Sequence, residues 1–272
     1  LRRFLNGKCS NRKYCFITEE RIFMDRNLIR ILNLKHRISS DGATMAIINL
    51  YSHIDRSKVQ FDFLVYDRTN NGYTQFIEKL GGNIYSIPVS DGDIKIVRIV
   101  KRCLALYKFF KRNSYNAIHI HTDNPFRVLE LFIAKIAGVK VRIIHSHGIG
   151  NAEEGKPISG IKKSVQKLCK IMINKTATDL FACSSVAAKE MYSENVTIGH
   201  NLKVINNGIE IEKYIYNEDV RRKYRKLLGI ENKFVVGHIG RFAHVKNHEF
   251  LIDVFKEIQN ENPESVLLLV GE

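Results

Sequence analysis

The residues best suited to chemistry lie near the end of the chain, where an apolar strand pattern leads into a loop that carries two cations. Residues 234–239 are mostly apolar, Gly240 follows them, and Arg241 and Lys246 precede an amphipathic helical pattern. Backbone N–H groups and the positive end of a helix dipole attract anions at such a point, and two cations can complete the neutralisation. The segment therefore predicts a phosphate or diphosphate site, with two ordinary surface cations as the alternative.

Two His-x-His pairs form a second candidate site. His119 and His121 end one strand pattern, and His145 and His147 end the next. Alternate residues of a strand face the same way, so each pair offers two imidazoles on one side of a sheet. A zinc ion would need further donors, and only Asp123 lies near the first pair without a recognised metal signature. We therefore predict no metal site, and a hydrogen-bonding role for the second pair at an active-site mouth, with structural histidines as the alternative.

The loop after the first strand pattern is a third candidate. Asp41 and Gly42 permit a tight turn there, with backbone N–H groups at the edge of the sheet. The loop lacks the Gly-x-Gly-x-x-Gly pattern, so a dinucleotide site is disfavoured, and a ligand-binding loop and a plain turn both remain open. No nucleophile elbow or P-loop occurs in the sequence. Ser184 follows a strand without a neighbouring base, which favours a helix N-cap over a nucleophile.

Composition and charge limit the class of protein. The 272 residues suffice for two α/β domains, or for one domain and a large part of another. The five cysteines are scattered, which indicates reduced thiols and a cytoplasmic location. The formal charge of +15 suits nucleic acid, an anionic membrane or an anionic substrate, but no nucleic-acid motif is present. Residues 96–112 and 161–172 interleave cations with an apolar stripe, which predicts either contact with an acidic lipid surface or a solvated basic face.

Strand and helix patterns alternate through most of the chain, which predicts parallel crossovers and a doubly wound α/β sheet. Predicted strands are 29–34, 61–66, 83–87, 117–121, 141–145 and 180–183, with helices at 43–54, 73–80, 93–112, 125–137 and 159–177. Ligands bind such sheets outside the C-terminal ends of the strands.

Three regions differ in their patterns. Residues 1–23 show no sustained period and are predicted to be a disordered or extraneous leader. Residues 24–214 form the predicted N-terminal Rossmann-like domain, and residues 215–272 the start of a second one. The second region contains a strand at 234–240, a helix at 247–259 and a strand at 265–270. One βαβ unit cannot bury both faces of its sheet, so an incomplete domain is expected.

Four segments in this order resemble the glycosyltransferases of the GT-B fold, family 4, in the branch that makes exopolysaccharides and capsules. The segments are 45–65, 140–147, 204–210 and 236–250, and the similarity runs from residue 28 to residue 272. The resemblance implies two Rossmann-like domains, the first for the acceptor and the second for a nucleotide-sugar. It further implies sugar transfer to a polysaccharide or lipid-linked glycan with retention at the anomeric carbon, and neither a metal nor a cofactor.

The resemblance also implies roles for particular residues. Arg241 and Lys246, beside Gly240, correspond to the residues that hold the donor diphosphate. His145 or His147 corresponds to a sugar-contacting histidine, and the position along the strand favours His145.

The loop of residues 40–43 corresponds to a loop near the phosphates and the acceptor, where the family usually has two glycines. Asp41 replaces the first glycine and Gly42 matches the second. The added negative charge puts the usual phosphate contact of this loop in doubt.

One further part of the family pattern bears on activity. An acidic segment that contacts the donor lies beyond a strand like 265–270, so the chain resembles about two thirds of a transferase, and we expect it to be inactive alone. The alternatives are a nucleotide-sugar-binding fragment without turnover and a nucleotide-sugar epimerase, which would need paired catalytic acids. The expected location is the cytoplasm, with peripheral contact to the inner face of the plasma membrane as an open addition. Nucleic acid is not an expected partner.

Overall fold

The computed structural model of the protein describes residues 28–87, 94–148, 160–192 and 202–271. The strands are β1 (Ile29–Lys35), β2 (Val59–Val65), β3 (Ile84–Ser86), β4 (Ala117–His121), β5 (Val141–Ser146), β6 (Asp179–Ala182), β7 (Leu202–Val204), β8 (Phe234–Ile239) and β9 (Ser265–Val270). The helices are α1 (Gly42–His53), α2 (Gly72–Lys79), α3 (Lys95–Arg112), α4 (Val128–Ala137), α5 (Gly160–Thr176), α6 (Ser185–Met191), α7 (Glu218–Leu228) and α8 (His248–Glu261). The predicted leader, residues 1–23, lies outside the described residues.

The first seven strands form one sheet in the order β3-β2-β1-β4-β5-β6-β7. Every pairing in it is parallel, which confirms the predicted doubly wound α/β architecture. The strand order reverses between β1 and β4, so the crevice outside their C-terminal ends is the expected ligand position. The register sets Asn33 of β1 beside His119 of β4, and His121 of β4 beside His145 of β5.

The two faces of this sheet are covered by different helices. Leu32 and Leu34 of β1 belong to the core that contains α3, α4, α5 and α6, whereas Ile31 packs on the core that contains α1 and α2. Alternate strand residues point to opposite faces, which explains why adjacent residues of β1 belong to different cores. Helices α3, α4 and α5 therefore lie together on one side of the sheet.

The predicted helix at 125–137 begins later than the sequence suggested. Pro125–Arg127 form a 3-10 turn, and α4 starts only at Val128. The Asn124 side chain accepts a hydrogen bond from the Phe126 N–H, which tightens this turn directly after β4. The turn carries Arg127 to the same edge of the sheet as the ends of β1 and β4. Ser184 does act as an N-cap: its hydroxyl accepts from the Ala187 N–H at 3.1 Å, at the start of α6.

The second sheet contains β8 and β9, which pair in parallel with α8 between them. It is the predicted βαβ unit, and β8 pairs with β9 and not with the first sheet. Phe234 of β8 is 54% exposed and Phe250 of α8 is 63% exposed, so this unit covers little of its apolar surface within the described part of the chain.

Candidate active site

Four histidines meet where β4 and β5 end, beside the point at which the strand order reverses. The rings of His119 and His145 stack at 5.3 Å with an interplanar angle of 3°, and those of His145 and His147 stack at 4.1 Å. His119, His121 and His145 are buried, whereas His147 is half-buried. The alternation of strand residues places the two histidines of each pair on one side of the sheet, as predicted, and the parallel pairing of β4 with β5 brings the two pairs together.

A chain of hydrogen bonds fixes the proton positions on two of these rings. The side-chain amide of Asn33 donates to the Asp62 carbonyl, which leaves its oxygen to accept from His121 Nε2 at 3.0 Å. A neutral imidazole has one donor and one acceptor nitrogen, so His121 Nδ1 accepts from His147 Nε2, 2.9 Å away. His147 then carries its proton on Nε2 and a lone pair on Nδ1.

That Nδ1 atom of His147 has unused hydrogen-bonding capacity. It is buried and makes no hydrogen bond of standard geometry within the described segments, although the Asn207 side chain interacts with the His147 ring as a hydrogen-bond partner. His145 Nε2 is also buried there without a partner. His119 Nε2 and His145 Nδ1 lie 3.2 Å apart and share one proton between them. Since His147 is closer to the surface, its nitrogen is the better placed of the two to accept a hydrogen bond from a ligand.

Burial keeps the histidines neutral. It lowers the pKa of His119 and His121 well below the ordinary value, and it lowers the pKa of His145 to about 3. Burial also lowers the pKa of His147, although the Asp123 carboxylate opposes the change. Neutral imidazoles can donate and accept hydrogen bonds at the same time, which suits contact with sugar hydroxyls.

Asp123 fixes the backbone at the end of β5. Its Oδ1 atom accepts from the His147 N–H at 2.6 Å and from the Ser146 hydroxyl at 3.3 Å. A side chain at Gly148 would approach the other carboxylate oxygen at 3.4 Å. Asp123 therefore orients the segment that carries His147.

Three of the histidines meet one condition for holding a metal ion. One ring nitrogen from each of His119, His121 and His145 lies within 4.8 Å of the other two, and all three residues are buried. Both nitrogens of His121 are engaged with Asn33 and His147, however, so a metal ligand there would cost a hydrogen bond of the chain. The donor set thus fits a hydrogen-bonded group of neutral imidazoles better than a metal site, and metal-independence remains a prediction.

The loop after β1 places the Asp41 carboxylate at the N-terminus of α1. Asp41 accepts from the Thr44 N–H at 2.9 Å and pairs with Lys35 Nζ at 2.8 Å, and the Ser39 hydroxyl donates to it at 2.6 Å. Burial favours the neutral carboxyl, but these hydrogen bonds outweigh it and hold the pKa of Asp41 below its usual range. The Asp41 carboxylate thus occupies the position where the helix N-terminus would receive a phosphate.

The third candidate segment lies on the second sheet. The Gly240 N–H donates to the Val270 carbonyl at 2.9 Å, and a side chain at Gly240 would approach Lys246 Cε at 3.4 Å. Asn247 has a left-handed backbone, with φ of 48°, and α8 begins after it without a side-chain cap. In the described part of the chain neither Arg241 nor Lys246 has a carboxylate within 4.0 Å. Two cations without a carboxylate partner among the described residues thus precede an uncapped helix N-terminus.

The structure brings the first-sheet residues together. Lys35 and Asp41 both act electrostatically on His147, so the loop after β1 and the end of β5 share one region. Gly240, Arg241 and Lys246 form a separate cluster on the second sheet. Asn33 and Lys35 were not predicted as site residues, although two polar residues in the apolar pattern of β1 were a usable signal.

The sequence comparisons relate this arrangement to known proteins. No protein-family model matches the chain. EpsF of Bacillus subtilis (strain 168), provisionally named a glycosyltransferase, is 29% identical over 253 residues, which cover 92% of this chain and 63% of EpsF. The UDP-Gal:alpha-D-GlcNAc-diphosphoundecaprenol alpha-1,3-galactosyltransferase of Escherichia coli is 26% identical, over 78% of this chain and 54% of that protein. The capsular polysaccharide biosynthesis glycosyltransferase CapM of Staphylococcus aureus is 26% identical, over 74% of this chain and 57% of CapM.

Solved structures show the same fold. Anabaena Alr3699/HepE, crystallised with UDP and glucose, has a TM-score of 0.67 at 20% identity, over 90% of this chain and 61% of that one. A UDP-N-acetylglucosamine 2-epimerase has a TM-score of 0.53 at 11% identity, over 88% of this chain and 63% of that one, so the fold is also found in epimerases.

The parallel sheets and these structural relatives define the class of protein: the chain has the GT-B fold, as predicted. Within that class its sequence resembles glycosyltransferases of exopolysaccharide and capsule synthesis, which also confirms the predicted resemblance. The chain spans 54–63% of the length of these curated relatives.

Proposed function

We propose that the chain serves a glycosyltransferase that moves a sugar from a nucleotide-sugar to a polysaccharide or lipid-linked glycan, with retention and without a metal ion. The observation that carries the proposal is the Asn33–His121–His147 hydrogen-bond chain at the reversal of the strand order. It presents the neutral His147 imidazole beside Asn207, with an Nδ1 atom that makes no standard hydrogen bond among the described residues, where ligands bind to this kind of sheet.

The donor diphosphate would bind at the start of α8. Arg241 and Lys246 have no acidic partner among the described residues, and the first N–H groups of α8 lack a side-chain cap. The two cations would neutralise the leaving diphosphate, which is the role that a metal ion has in other transferases. UDP-sugars are the first donors to test, because the Escherichia coli relative is named for UDP-Gal and HepE was crystallised with UDP.

The sugar would lie against the ends of β4 and β5. His147 Nδ1 would accept a hydrogen bond from a sugar hydroxyl, and the stacked His145 ring would support it from within. Asp41 pairs with Lys35, so the loop after β1 would contact the acceptor through neutral groups rather than hold its phosphate.

The outer faces of α3 and α5 favour contact with an anionic membrane. Ile96, Val100 and Leu104 of α3 are 70%, 52% and 54% exposed, at helical spacing and beside lysines. On α5, Ile161, Val165 and Leu168 are 82%, 43% and 56% exposed. A merely solvated basic face does not need two such apolar stripes. In the described segments no helix is long and apolar enough to cross a bilayer.

The exposed apolar residues of α3 and α5 also support a proposal about location. We infer a peripheral location on an anionic lipid surface, where the protein would meet a lipid-linked acceptor.

The alternative is a chain that binds a nucleotide-sugar without turnover, and the test separates the two. Thermal stabilisation by a panel of nucleotide-sugars measures binding, and transfer of radiolabelled sugar to a diphosphoundecaprenol-linked glycan measures turnover, with EpsF as the full-length comparison. Binding with transfer supports the proposal. Because the 272-residue chain is expected to be inactive alone, binding without transfer supports the alternative only when a longer polypeptide that contains the chain is measured. Neither binding nor transfer, in the presence of an active EpsF control, would contradict both.

A further inference from the structure

Two guanidinium groups converge on the ring of Tyr66, at the end of β2. Arg102 of α3 lies with its guanidinium carbon 5.2 Å from the ring centroid, and Arg127 of the turn after β4 lies 4.7 Å from it. Each contact alone is an ordinary cation–π pair. Two like charges on one ring, brought there by different elements, repel each other and call for compensating negative charge.

The carboxylate beside them compensates only one of the two arginines. Glu130 Oε1 accepts from Arg127 Nη1 at 2.7 Å and from the Tyr66 hydroxyl at 3.0 Å, and the Glu130 side chain is 1% exposed. Burial and the nearby Glu130 raise the pKa of Tyr66, so its phenol stays neutral and donates. Glu130 therefore neutralises Arg127 and leaves Arg102 without a counter-charge.

Arg102 lacks the partners that a half-buried guanidinium usually has. Its Nε atom is buried without a hydrogen-bond partner, and Arg102 forms no ion pair in the described segments. The Glu130 Oε2 atom is likewise without a partner there. Leaving a charged donor desolvated and unpaired is unfavourable, whereas a bound anion would receive charge-assisted hydrogen bonds from it.

The other titratable groups described near Tyr66 do not supply a counter-charge for Arg102. Burial and Arg127 lower the pKa of His36, which keeps its imidazole neutral. Asp67 acts on His36 but is exposed to solvent. Arg98 lies one turn from Arg102, on the same side of α3.

The position of this cluster connects it with the proposed acceptor side. The His36 carbonyl accepts from the Tyr66 N–H at 3.0 Å, and the two rings are 6.4 Å apart, so the cluster adjoins the loop after β1. The same helix that supplies Arg102 also carries the exposed apolar stripe at Ile96, Val100 and Leu104. Arg102 is two residues from Val100 and from Leu104, so its side chain leaves α3 on nearly the opposite side from this stripe, toward Tyr66. An anion bound at Arg102 would therefore lie on the sheet side of a helix whose outer side faces the lipid.

We propose that Arg102, held against Tyr66 beside the Arg127–Glu130 pair, anchors an anion site for the diphosphate of a lipid-linked acceptor, separate from the donor site at Arg241 and Lys246. The assignment of the anion to the acceptor rests on the proposed function; the anion site itself does not.

The test measures binding of inorganic pyrophosphate and of farnesyl diphosphate to the 272-residue chain by calorimetry. Arg102→Gln should weaken both by about tenfold or more, because it removes a charge-assisted contact. Arg102→Lys should restore part of the affinity. Lys108→Gln, which removes an exposed cation from the same helix, should leave both affinities unchanged. Glu130→Gln should strengthen binding, because it removes the competing carboxylate.

Each result bears directly on the proposal. Tighter binding of farnesyl diphosphate than of pyrophosphate supports a lipid-linked ligand, and equal binding overturns that assignment. Equal losses in Arg102→Gln and Lys108→Gln, or a loss only in Arg241→Ala, overturn the site. Circular dichroism and thermal unfolding establish that the variants fold. Binding that depends on Arg102, without sugar transfer by a longer polypeptide that contains the chain, would contradict the proposed function and leave the anion site standing.

Discussion

His121 and His147 are joined by a hydrogen bond of 2.9 Å between Nδ1 of the first ring and Nε2 of the second. Because Asn33 accepts the proton on His121 Nε2, the bond has only one direction that keeps both rings neutral. Asn33 of β1 thereby determines which nitrogen of His147, the residue after β5, carries a proton. As a result, His147 Nδ1 faces the proposed ligand position as a hydrogen-bond acceptor rather than as a donor.

Replacement of Asn33 by Leu should allow both tautomers of His121 and His147 to form. His121 would lose its acceptor and populate both tautomers, so His147 Nδ1 would be protonated in part of the molecules. The ¹⁵N chemical shifts of the His147 ring report this directly. Asn33→Asp is the matched control, since a carboxylate still accepts from His121 Nε2. Identical His147 shifts in the wild type and in Asn33→Leu would disprove the assignment.

The donor-binding role of Arg241 and Lys246 predicts a loss of transfer. In a polypeptide with measurable activity, replacing either residue by Ala removes a charge-assisted hydrogen bond worth roughly 1.5–3 kcal/mol. Turnover should fall about tenfold to a hundredfold. Lys256→Ala, a change to another exposed cation on α8, should keep the wild-type rate. A wild-type rate in both Arg241→Ala and Lys246→Ala would exclude this role.

Local patterns predicted most of the fold. Apolar, β-branched strands alternate with helical periods, so β4 and β9 appear with the predicted bounds and most other ends differ by one or two residues. The common direction of the two histidines in each His-x-His pair was predictable because alternation along a strand fixes the direction of its side chains. The contact between the two pairs depends on the register of β4 with β5. Gly240, Arg241 and Lys246 were identified by their place between a strand and a helix.

Contacts between distant segments were not predictable in the same way. Asn33 and His121 are 88 positions apart, and only the pairing register of β1 with β4 brings them together. The two arginines that contact Tyr66 lie 25 positions apart in the sequence, one on a helix and one in a turn. No local periodicity in the sequence indicates that they contact the same ring. The ion pair between Lys35 and Asp41 forms only because the loop between them turns back on itself, and the sequence pattern does not indicate that path.

Asp41 should contribute to stability through its cap and its ion pair. Asp41→Ala removes the acceptor of the Thr44 N–H, and N-cap losses cost about 0.5–2 kcal/mol. Asp41→Asn keeps the cap acceptor and loses the ion pair with Lys35, so urea denaturation should show a smaller loss of unfolding free energy. Equal stability of the wild type and Asp41→Ala would contradict the capping role.

Opening the same loop should create phosphate affinity. In Asp41→Gly the N-terminus of α1 and Lys35 would both be released from the carboxylate. We therefore expect inorganic phosphate to raise the melting temperature of this variant and not that of the wild type. Stabilisation of both proteins to the same extent would show that the carboxylate does not occupy the anion position.

Acid should destabilise the chain through its buried histidines. The pKa of His145 is about 3 in the folded chain and near 6.5 in the unfolded chain, and burial lowers the pKa of His119 and His121 in the same direction. The unfolded state therefore binds more protons below pH 6.5. The stability conferred by the neutral histidines is complete above about pH 6.5 and is lost as the pH falls toward 3, by up to ~1.4 kcal/mol per pH unit for each histidine.

Urea denaturation at several pH values between about 7.5 and 4.5 measures this dependence, because most carboxylates remain ionised in that range. His145→Asn should reduce the slope of stability against pH, and His53→Gln, a change at an exposed histidine of α1, should not. A wild-type slope in His145→Asn would show that His145 does not take part.

Membrane contact should depend on the outer faces of α3 and α5. The lysines attract anionic headgroups, and the exposed apolar residues insert among the upper acyl carbons. Leu104→Ser should therefore weaken sedimentation with vesicles that contain phosphatidylglycerol, and so should Leu168→Ser.

Leu50→Ser is a matched control, since Leu50 is 52% exposed and Leu104 is 54% exposed, but Leu50 belongs to α1 on the opposite face of the sheet. High salt should release the protein, because screening shortens the range of the attraction. Equal binding to neutral vesicles, or none at low salt, would mean that both helices present only a solvated basic surface.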